Sequence, residues 1–150
     1  LLQLSRNIFF YKNIKLIDSF ETRIYLMFFH FSIIMKATKQ RKKKFDQKSY
    51  DFLFHDIENN LRELGFGDVS VNKKMKDLNK ILYDILLKLN FDDKKEFKIR
   101  KKLVLKYFKV FNDNNNEKYV EFERYFNKFY NYCFELPLDN MVRDAINFRN

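Results

Sequence analysis

Glycine, proline and cysteine are scarce in this chain of 150 residues, which has two glycines, one proline and one cysteine. It has no tryptophan and only two alanines. A many-stranded β-sandwich or barrel needs more glycine and proline than this to form its turns. The Gly-rich phosphate-binding motifs of dinucleotide and P-loop enzymes are also missing. A single cysteine cannot form an internal disulfide or a multi-thiolate metal site. These protein classes are therefore excluded, and the cysteine usage fits a reducing compartment.

Basic and aromatic residues are abundant instead. Lys and Arg outnumber Asp and Glu by 30 to 20, which gives a net charge of +10, and 19% of the residues are aromatic. The abundant residue types have AT-rich codons and the scarce types have GC-rich codons, so nucleotide bias of the genome accounts for much of this character. We therefore discount the net charge alone as evidence of nucleic-acid binding. The length corresponds to one domain.

The most apolar segment is Ile24–Met35, which is 12 residues long and contains His30. As a helix it would extend about 18 Å, whereas the hydrocarbon core of a bilayer is about 30 Å thick. The sequence therefore predicts a buried core helix and no transmembrane span. His30 is then most simply a core histidine, and Cys133 a small buried apolar residue on an aromatic helix.

Hydrophobic periodicity predicts an all-α protein, a single compact domain of about six helices. The predicted helices cover about residues 3–13, 20–39, 46–64, 71–89, 93–111 and 117–134, and a short amphipathic helix follows Pro137. Leu4, Ile8 and Tyr11 form the stripe of the first helix. The segment 103–111 also alternates like a strand, but no pairing strand is evident. A polar loop is predicted at 112–116.

Capping residues support several of these bounds. Asp18 with Glu21 resembles a capping box for the second helix, Ser70 is a predicted N-cap for the fourth, and Asp92 or Asp93 can cap the fifth. Both glycines fall in the sequence GFGD at 65–68, where Gly65 is predicted to be a left-handed C-cap. The third and fourth helices therefore form a central helical hairpin joined by a GxGD turn.

Three lysines follow this turn. If the helix begins at Val71, Lys73, Lys74 and Lys76 lie in its first two turns, where each cation opposes the helix dipole by about 0.3–1 kcal/mol. Residues placed against a local preference, such as these cations at a helix start, concentrate at functional sites. Exposed N–H groups beside ammonium groups would suit an anionic partner. The alternative is a merely solvated helix end.

The hairpin resembles a family signature. The segment FLFHDIENNLRELGFGDVSVNKKMKDLNKILYDIL (52–86) is similar to the pattern LFDxMFxDMDxxLREMGVGDxxVxKxMKxMxxxFYGR of the ubiquinol-cytochrome c chaperone family. Upstream, FETRIYLMFFHFSIIMKA resembles a degraded RFxxxxLHxFLVxRRL helix with His30 at the histidine position. The resemblance covers about residues 20–86, and 92–150 would be a divergent helical C-terminal part. Phe66 replaces a valine of the pattern, and Asp84 and Ile85 replace its Gly-Arg.

The resemblance implies a non-enzymatic assembly factor for respiratory complex III that binds newly made cytochrome b and needs no cofactor or metal. It implies cytochrome b or an assembly intermediate as partner, with a partner assembly factor, the ribosome and an anionic membrane surface as further contacts. The location would be the mitochondrial matrix and inner membrane, or the cytoplasmic side of an alphaproteobacterial inner membrane. The motif positions implied to bind partners are His30, Asp51, Asp56, Arg62, Glu63, Gly65, Gly67, Asp68, Lys73, Lys74, Lys76 and Tyr83.

Two other functions remain open from the sequence. The first is a basic helical module that binds nucleic acid or the ribosome without a membrane-protein client. The second is a small metal-dependent enzyme with Asp51, His55 and Glu58 on one helical face, but this ligand set is thin. Solvated i,i+4 pairing, such as Glu58 with Arg62, is the simpler interpretation of that face.

Overall fold

The computed structural model describes residues 1–91, 97–111 and 116–150. These residues form an all-α fold, as predicted, with one minimal pair of strands. The α-helices are α1 (Leu2–Ser5), α2 (Ile8–Lys12), α3 (Phe20–Gln40), α4 (Gln47–Glu63), α5 (Asp68–Lys88), α6 (Lys101–Tyr107), α7 (Asn116–Glu135) and α8 (Met141–Asp144). The two-residue strands β1 (Asn90–Phe91) and β2 (Phe97–Lys98) pair antiparallel, and 3-10 helices cover Lys109–Phe111, Leu138–Asn140 and Ala145–Asn147.

Helix α3 lies at the centre of the fold and packs against α1, α5 and α7. Between Ile24 and Ile34 every residue except Tyr25 is buried. A helix that is apolar around its whole circumference needs neighbours on all sides, so the other helices surround it. The predicted buried core helix is confirmed. Within the part of the chain that the structure describes, no helix is long and apolar enough to cross a membrane.

Aromatic rings fill the interface between α3 and α7. Phe29 and His30 contact Phe126 at centroid distances of 5.6 and 4.9 Å, in tilted arrangements that suit aromatic quadrupoles. Phe10 of α2 closes this cluster against Tyr125, with ring centroids 4.6 Å apart. Residues from both halves of the chain therefore share one core. Cys133 of α7 is buried, and burial raises the pKa of its thiol, which keeps it protonated.

The prediction of one continuous first helix over 3–13 is wrong, because the chain forms two short helices there, α1 and α2. Asn7 interrupts the helix: its side chain accepts a hydrogen bond from the Phe9 N–H at 3.0 Å and caps α2. Ile8, placed on the predicted apolar stripe, is 59% exposed, whereas Phe10 is fully buried. The side chain of Asn7 therefore interrupts the helix, and a different set of residues faces the core from the set that the sequence predicted.

Two predicted helix caps are also corrected. Helix α3 is capped by Ser19, whose hydroxyl accepts from the Thr22 N–H at 3.1 Å, while Asp18 pairs with Arg23 and forms no capping box. Helix α5 begins at Asp68 with Gly67 as its N-cap, so Ser70 lies inside the first turn. Gly67 has the extended backbone conformation of an N-cap residue and precedes Ser70 in the chain, so Ser70 does not cap the helix.

The fifth helix is shorter than predicted. It begins at Lys101 and ends at Tyr107, before a 3-10 turn, and β1 and β2 occupy the segment before it. Its predicted caps, Asp92 and Asp93, and positions 112–115 of the predicted loop lie outside the described residues. The helix predicted for 117–134 and the helix break at Pro137 are confirmed, since α7 ends at Glu135.

Candidate functional site

The turn between α4 and α5 is a Schellman motif. Gly65 has a φ of +90°, its N–H donates to the Arg62 carbonyl at 2.9 Å, and the Phe66 N–H donates to the Leu61 carbonyl at 3.3 Å. This pairing satisfies two carbonyls at the end of α4, and the predicted left-handed Gly65 is confirmed. The hydroxyl of Tyr50, near the start of α4, donates to Asn79 of α5. The two helices therefore run side by side as a hairpin.

Charged signature residues hold the two sides of this turn together. The guanidinium of Arg62 donates to Glu58 at 2.8 Å and to Asp68 at 2.5 Å. The pairing of Arg62 with Glu58 was predicted, whereas the contact with Asp68 across the turn is a further finding. These three residues thus link the last turns of α4 to the first turn of α5.

The predicted conflict between three lysines and the helix dipole is wrong. Because α5 begins at Asp68, Lys73, Lys74 and Lys76 lie in its second and third turns. The dipole effect falls off within the first turn, where Asp68 provides the favourable negative charge. Lys74 instead places its Nζ 4.6 Å from the ring centroid of Phe66, a cation–π contact that uses the residue replacing the valine of the pattern.

Most of the predicted site residues are exposed, and one is buried. Eleven of them lie on the surface of the hairpin: Asp51, Asp56, Arg62, Glu63, Gly65, Gly67, Asp68, Lys73, Lys74, Lys76 and Tyr83. They face several directions and do not converge on one point. Asp56 and Glu63 border a groove beside α4, Lys74 borders a smaller pocket with Phe66, and Lys73 and Lys76 point away from the core.

His30 is the exception, since it has no exposed surface. Its Nδ1–H donates to the Leu26 carbonyl at 2.7 Å, and the Tyr125 hydroxyl donates to its Nε2 at 3.0 Å. Burial lowers the pKa of His30 to about 3, which outweighs the opposite effect of the bond to Leu26. His30 is therefore a neutral residue that joins α3 to α7, with both ring nitrogens occupied.

A groove of about 610 Å³ runs between the N-terminal segment, α3 and α4. Its floor is formed by buried apolar side chains, namely Ile24, Met27, Leu53 and Ile57. Phe52 stands on its wall and is 68% exposed. Four charged side chains also line the groove, namely Asp56 and Glu63 of α4, Arg6 after α1 and Arg23 of α3. Sequence patterns did not reveal this groove, because it depends on where the N-terminal segment folds back.

Exposed apolar side chains concentrate on the hairpin. Among the described residues, eleven large apolar side chains are exposed, and six of them belong to α4, α5 or their connection: Phe52, Leu64, Phe66, Val69, Tyr83 and Leu87. Single exposed apolar residues are ordinary, and these six do not form one patch: Phe52 lines the groove beside α4, whereas Leu64 and Phe66 line the smaller pocket.

Asp84, which replaces the glycine of the Gly-Arg pair, is a residue that sequence reasoning missed. It accepts hydrogen bonds from Lys106 at 2.7 Å, from the Tyr107 hydroxyl and from Lys88. Partial burial opposes its ionisation, but the bonds from Lys106, Lys88 and Tyr107 outweigh burial and hold its pKa well below the usual range. Asp84 therefore ties α5 to α6, and Ile85 beside it is fully buried.

Two of the three residues of the hypothetical metal site, Asp51 and Glu58, pair with other side chains. Asp51 accepts from the Gln47 amide at 3.0 Å, and Glu58 accepts from Arg62. Within residues 1–91, 97–111 and 116–150, no group of three or more His, Cys, Asp or Glu side chains is arranged to hold a metal ion.

Comparison with known proteins gives one match. The family model described as Ubiquinol-cytochrome C chaperone matches residues 12–90, which is more than half of the chain and includes α3, α4 and α5. No curated protein and no solved structure matches this chain.

Proposed function

Because the chain belongs to the ubiquinol-cytochrome c chaperone family, we propose that it is a non-enzymatic assembly factor for respiratory complex III and that its client is newly made cytochrome b. The observation that carries this function is the open groove along α4, whose floor is apolar and whose rim holds the signature residues Asp56 and Glu63. A factor for a membrane protein must cover apolar segments before they reach their final partners.

The groove can provide that cover. Phe52 is the most exposed of the apolar residues that line the groove, so a client segment that covers it removes apolar surface from water. Each Å² of apolar surface removed stabilises the complex by about 25 cal/mol. Asp56, Glu63 and Arg6 also line the groove and provide charged groups for the polar ends of a client segment, whereas Arg23 is already paired with Asp18. Burial in the middle and charge at the rim is the usual anatomy of a protein interface.

The non-enzymatic role agrees with the enclosure of His30 and Cys133, which are two of the three His and Cys side chains of the chain; the third, His55, is exposed on α4. His30 is neutral and enclosed, and Cys133 is buried with a raised thiol pKa. Neither can reach a substrate at the surface. In the proposed function His30 acts through packing between α3 and α7, and the exposed signature residues make the partner contacts.

We place this activity at the inner membrane, on the matrix side in mitochondria or the cytoplasmic side in an alphaproteobacterium, near the ribosome that makes the client. A partner assembly factor and anionic lipid are further proposed contacts.

A complementation experiment tests the client function. In a strain that lacks the gene, the wild-type chain is expected to restore spectroscopically detectable cytochrome b and assembled complex III, and Phe52→Asp is expected not to, because a carboxylate in the groove disfavours an apolar segment. Val120→Asp is the matched control, since Val120 is also exposed but lies on α7. Normal complex III in the deletion strain, or full restoration by Phe52→Asp, would contradict the proposal.

A further inference from the structure

The outward face of α5 carries a regular stripe of six side chains: Val69, Lys73, Lys76, Lys80, Tyr83 and Leu87. They are spaced alternately by four and three residues. At about 100° per residue they fall on one line along the helix, opposite the buried Val71, Leu82 and Ile85. We call these six residues the outer stripe of α5.

The outer stripe is open to solvent along its length. Val69 is 85% exposed, Leu87 72% and Tyr83 50%. Across the described ranges, the ammonium groups of Lys73 and Lys76 form no hydrogen bond or salt bridge with protein groups, and that of Lys80 reaches only Asp77, at 3.8 Å. Both members of that last pair are mostly exposed, so it is weak. The stripe therefore holds three ammonium groups without strong internal partners.

The spacing of the stripe fits another helix. Alternating steps of three and four residues are the pattern by which two helices pack at a small crossing angle. From Val69 to Leu87 the stripe extends about 27 Å, the length of about five helical turns. Apolar side chains lie at its two ends, and the three lysines lie between them.

The charge of the stripe selects an acidic occupant. Lys73, Lys76 and Lys80 fall within about 10 Å along the axis, so a helix with carboxylates opposite them would neutralise all three. A second copy of the stripe would bring like charges together. A bilayer surface fits less well, because the lysines occupy the middle of the stripe, where an interfacial helix has its apolar face. Asp77 on the flank also disfavours a polyphosphate chain.

We propose that the outer stripe of α5 docks an acidic amphipathic helix of a protein partner. Val69, Tyr83 and Leu87 pack against apolar residues at the two ends of that helix, and the three lysines pair with its central carboxylates. This surface is separate from the groove beside α4, so the partner is a different one from the proposed client. The docking is independent of the client's identity.

A peptide-binding experiment with a charge swap tests this surface. The probe is a synthetic fluorescent helix with leucines placed to meet the ends of the stripe and three glutamates placed to meet its lysines. We expect the triple variant Lys73→Glu, Lys76→Glu and Lys80→Glu to weaken its binding to the full chain at least about tenfold. A second peptide with lysines in place of the glutamates should instead prefer the triple variant.

A matched control carries the same charge change elsewhere. Lys12, Lys102 and Lys128 are exposed residues outside the stripe, and their replacement by Glu should leave peptide affinity unchanged within about twofold. Leu87→Asp tests the apolar end and should also weaken binding, with circular dichroism confirming that each variant is folded.

Three results would overturn the proposal. One is equal loss of peptide binding in the stripe and control variants, which would indicate only a net-charge effect. Another is no loss in the stripe variant. The third is stripe-dependent binding of vesicles containing phosphatidylglycerol, or of an RNA oligonucleotide, with no peptide binding, which would assign the surface to a membrane or to nucleic acid.

Discussion

At the scale of single residues, His30 makes stability depend on pH. Burial lowers its pKa from 6.5 to about 3, so between these values the unfolded chain binds a proton that the folded protein does not. The contribution of neutral His30 is complete above pH 6.5 and is lost as the pH falls toward the folded pKa. We expect the free energy of unfolding to drop by up to about 1.4 kcal/mol per pH unit through this residue, measured by urea unfolding from about pH 7 to pH 4.

Replacing His30 by Phe separates this effect from other titrating groups. The new ring suits its aromatic neighbours, but the buried Tyr125 hydroxyl loses its acceptor, which should cost about 1–3 kcal/mol at pH 7. The double variant with Tyr125→Phe should recover part of that loss, since both polar groups are then gone. Both variants should lack the pH slope of His30. A slope that persists unchanged in His30→Phe would assign it to another group.

At the scale of elements, periodicity predicted the long helices well. The predicted helices 20–39, 46–64 and 117–134 differ from α3, α4 and α7 by one residue at each bound or less, because apolar spacing over five turns is a strong signal. The errors lie where short-range competition decides. Asn7 splits the first helix, Gly67 starts α5 before Ser70 can, and the strand pair displaces the start of α6. The apolar spacing does not say which of several nearby capping residues is used, and the strand pair joins two short segments that no local pattern singled out.

The link between α5 and α6 depends on Asp84. Asp84→Asn removes the negative charge that Lys88, Lys106 and the Tyr107 hydroxyl share, and we expect it to lower the free energy of unfolding at neutral pH by about 1–2 kcal/mol. The folded pKa of Asp84 lies below its usual value of 3.8. Its contribution is therefore present above about pH 4 and is lost as the pH falls below it, so wild type and variant should converge in strong acid.

Asp77→Asn is the control for this prediction. Asp77 lies on the same helix but pairs weakly with Lys80 at 3.8 Å, and both side chains are mostly exposed. Its replacement should change stability by less than about 0.5 kcal/mol. If Asp77→Asn and Asp84→Asn destabilise the protein equally, the effect is a general loss of negative charge from a basic protein and not a specific link between helices.

At the scale of the whole molecule, the sequence predicted the hairpin but not what surrounds it. The turn glycines and the charged residues that bridge the turn, Glu58, Arg62 and Asp68, all lie between positions 58 and 68, so their local arrangement can be read from the chain. The groove requires Arg6, Ile24 and Phe52 to meet, and sequence spacing gives no distance between such distant positions. For the same reason the hydrogen bond between His30 and Tyr125, 95 residues away, emerged only from the fold, whereas the burial of His30 was predicted from the apolar segment around it.

The matched family segment covers residues 12–90, but α3 inside that segment is buried partly by α7 and by Phe10, which lie outside it. We therefore expect the isolated fragment 12–90 not to unfold cooperatively, because the aromatic face of α3 would be exposed to water. Urea unfolding, near-UV circular dichroism and binding of an apolar dye measure this. Fragment 1–91 co-expressed with 97–150 should regain a cooperative transition, since the two pieces restore the α3–α7 interface. A sharp transition in 12–90 alone would show that the signature segment is an independent folding unit and that α7 only adds to it.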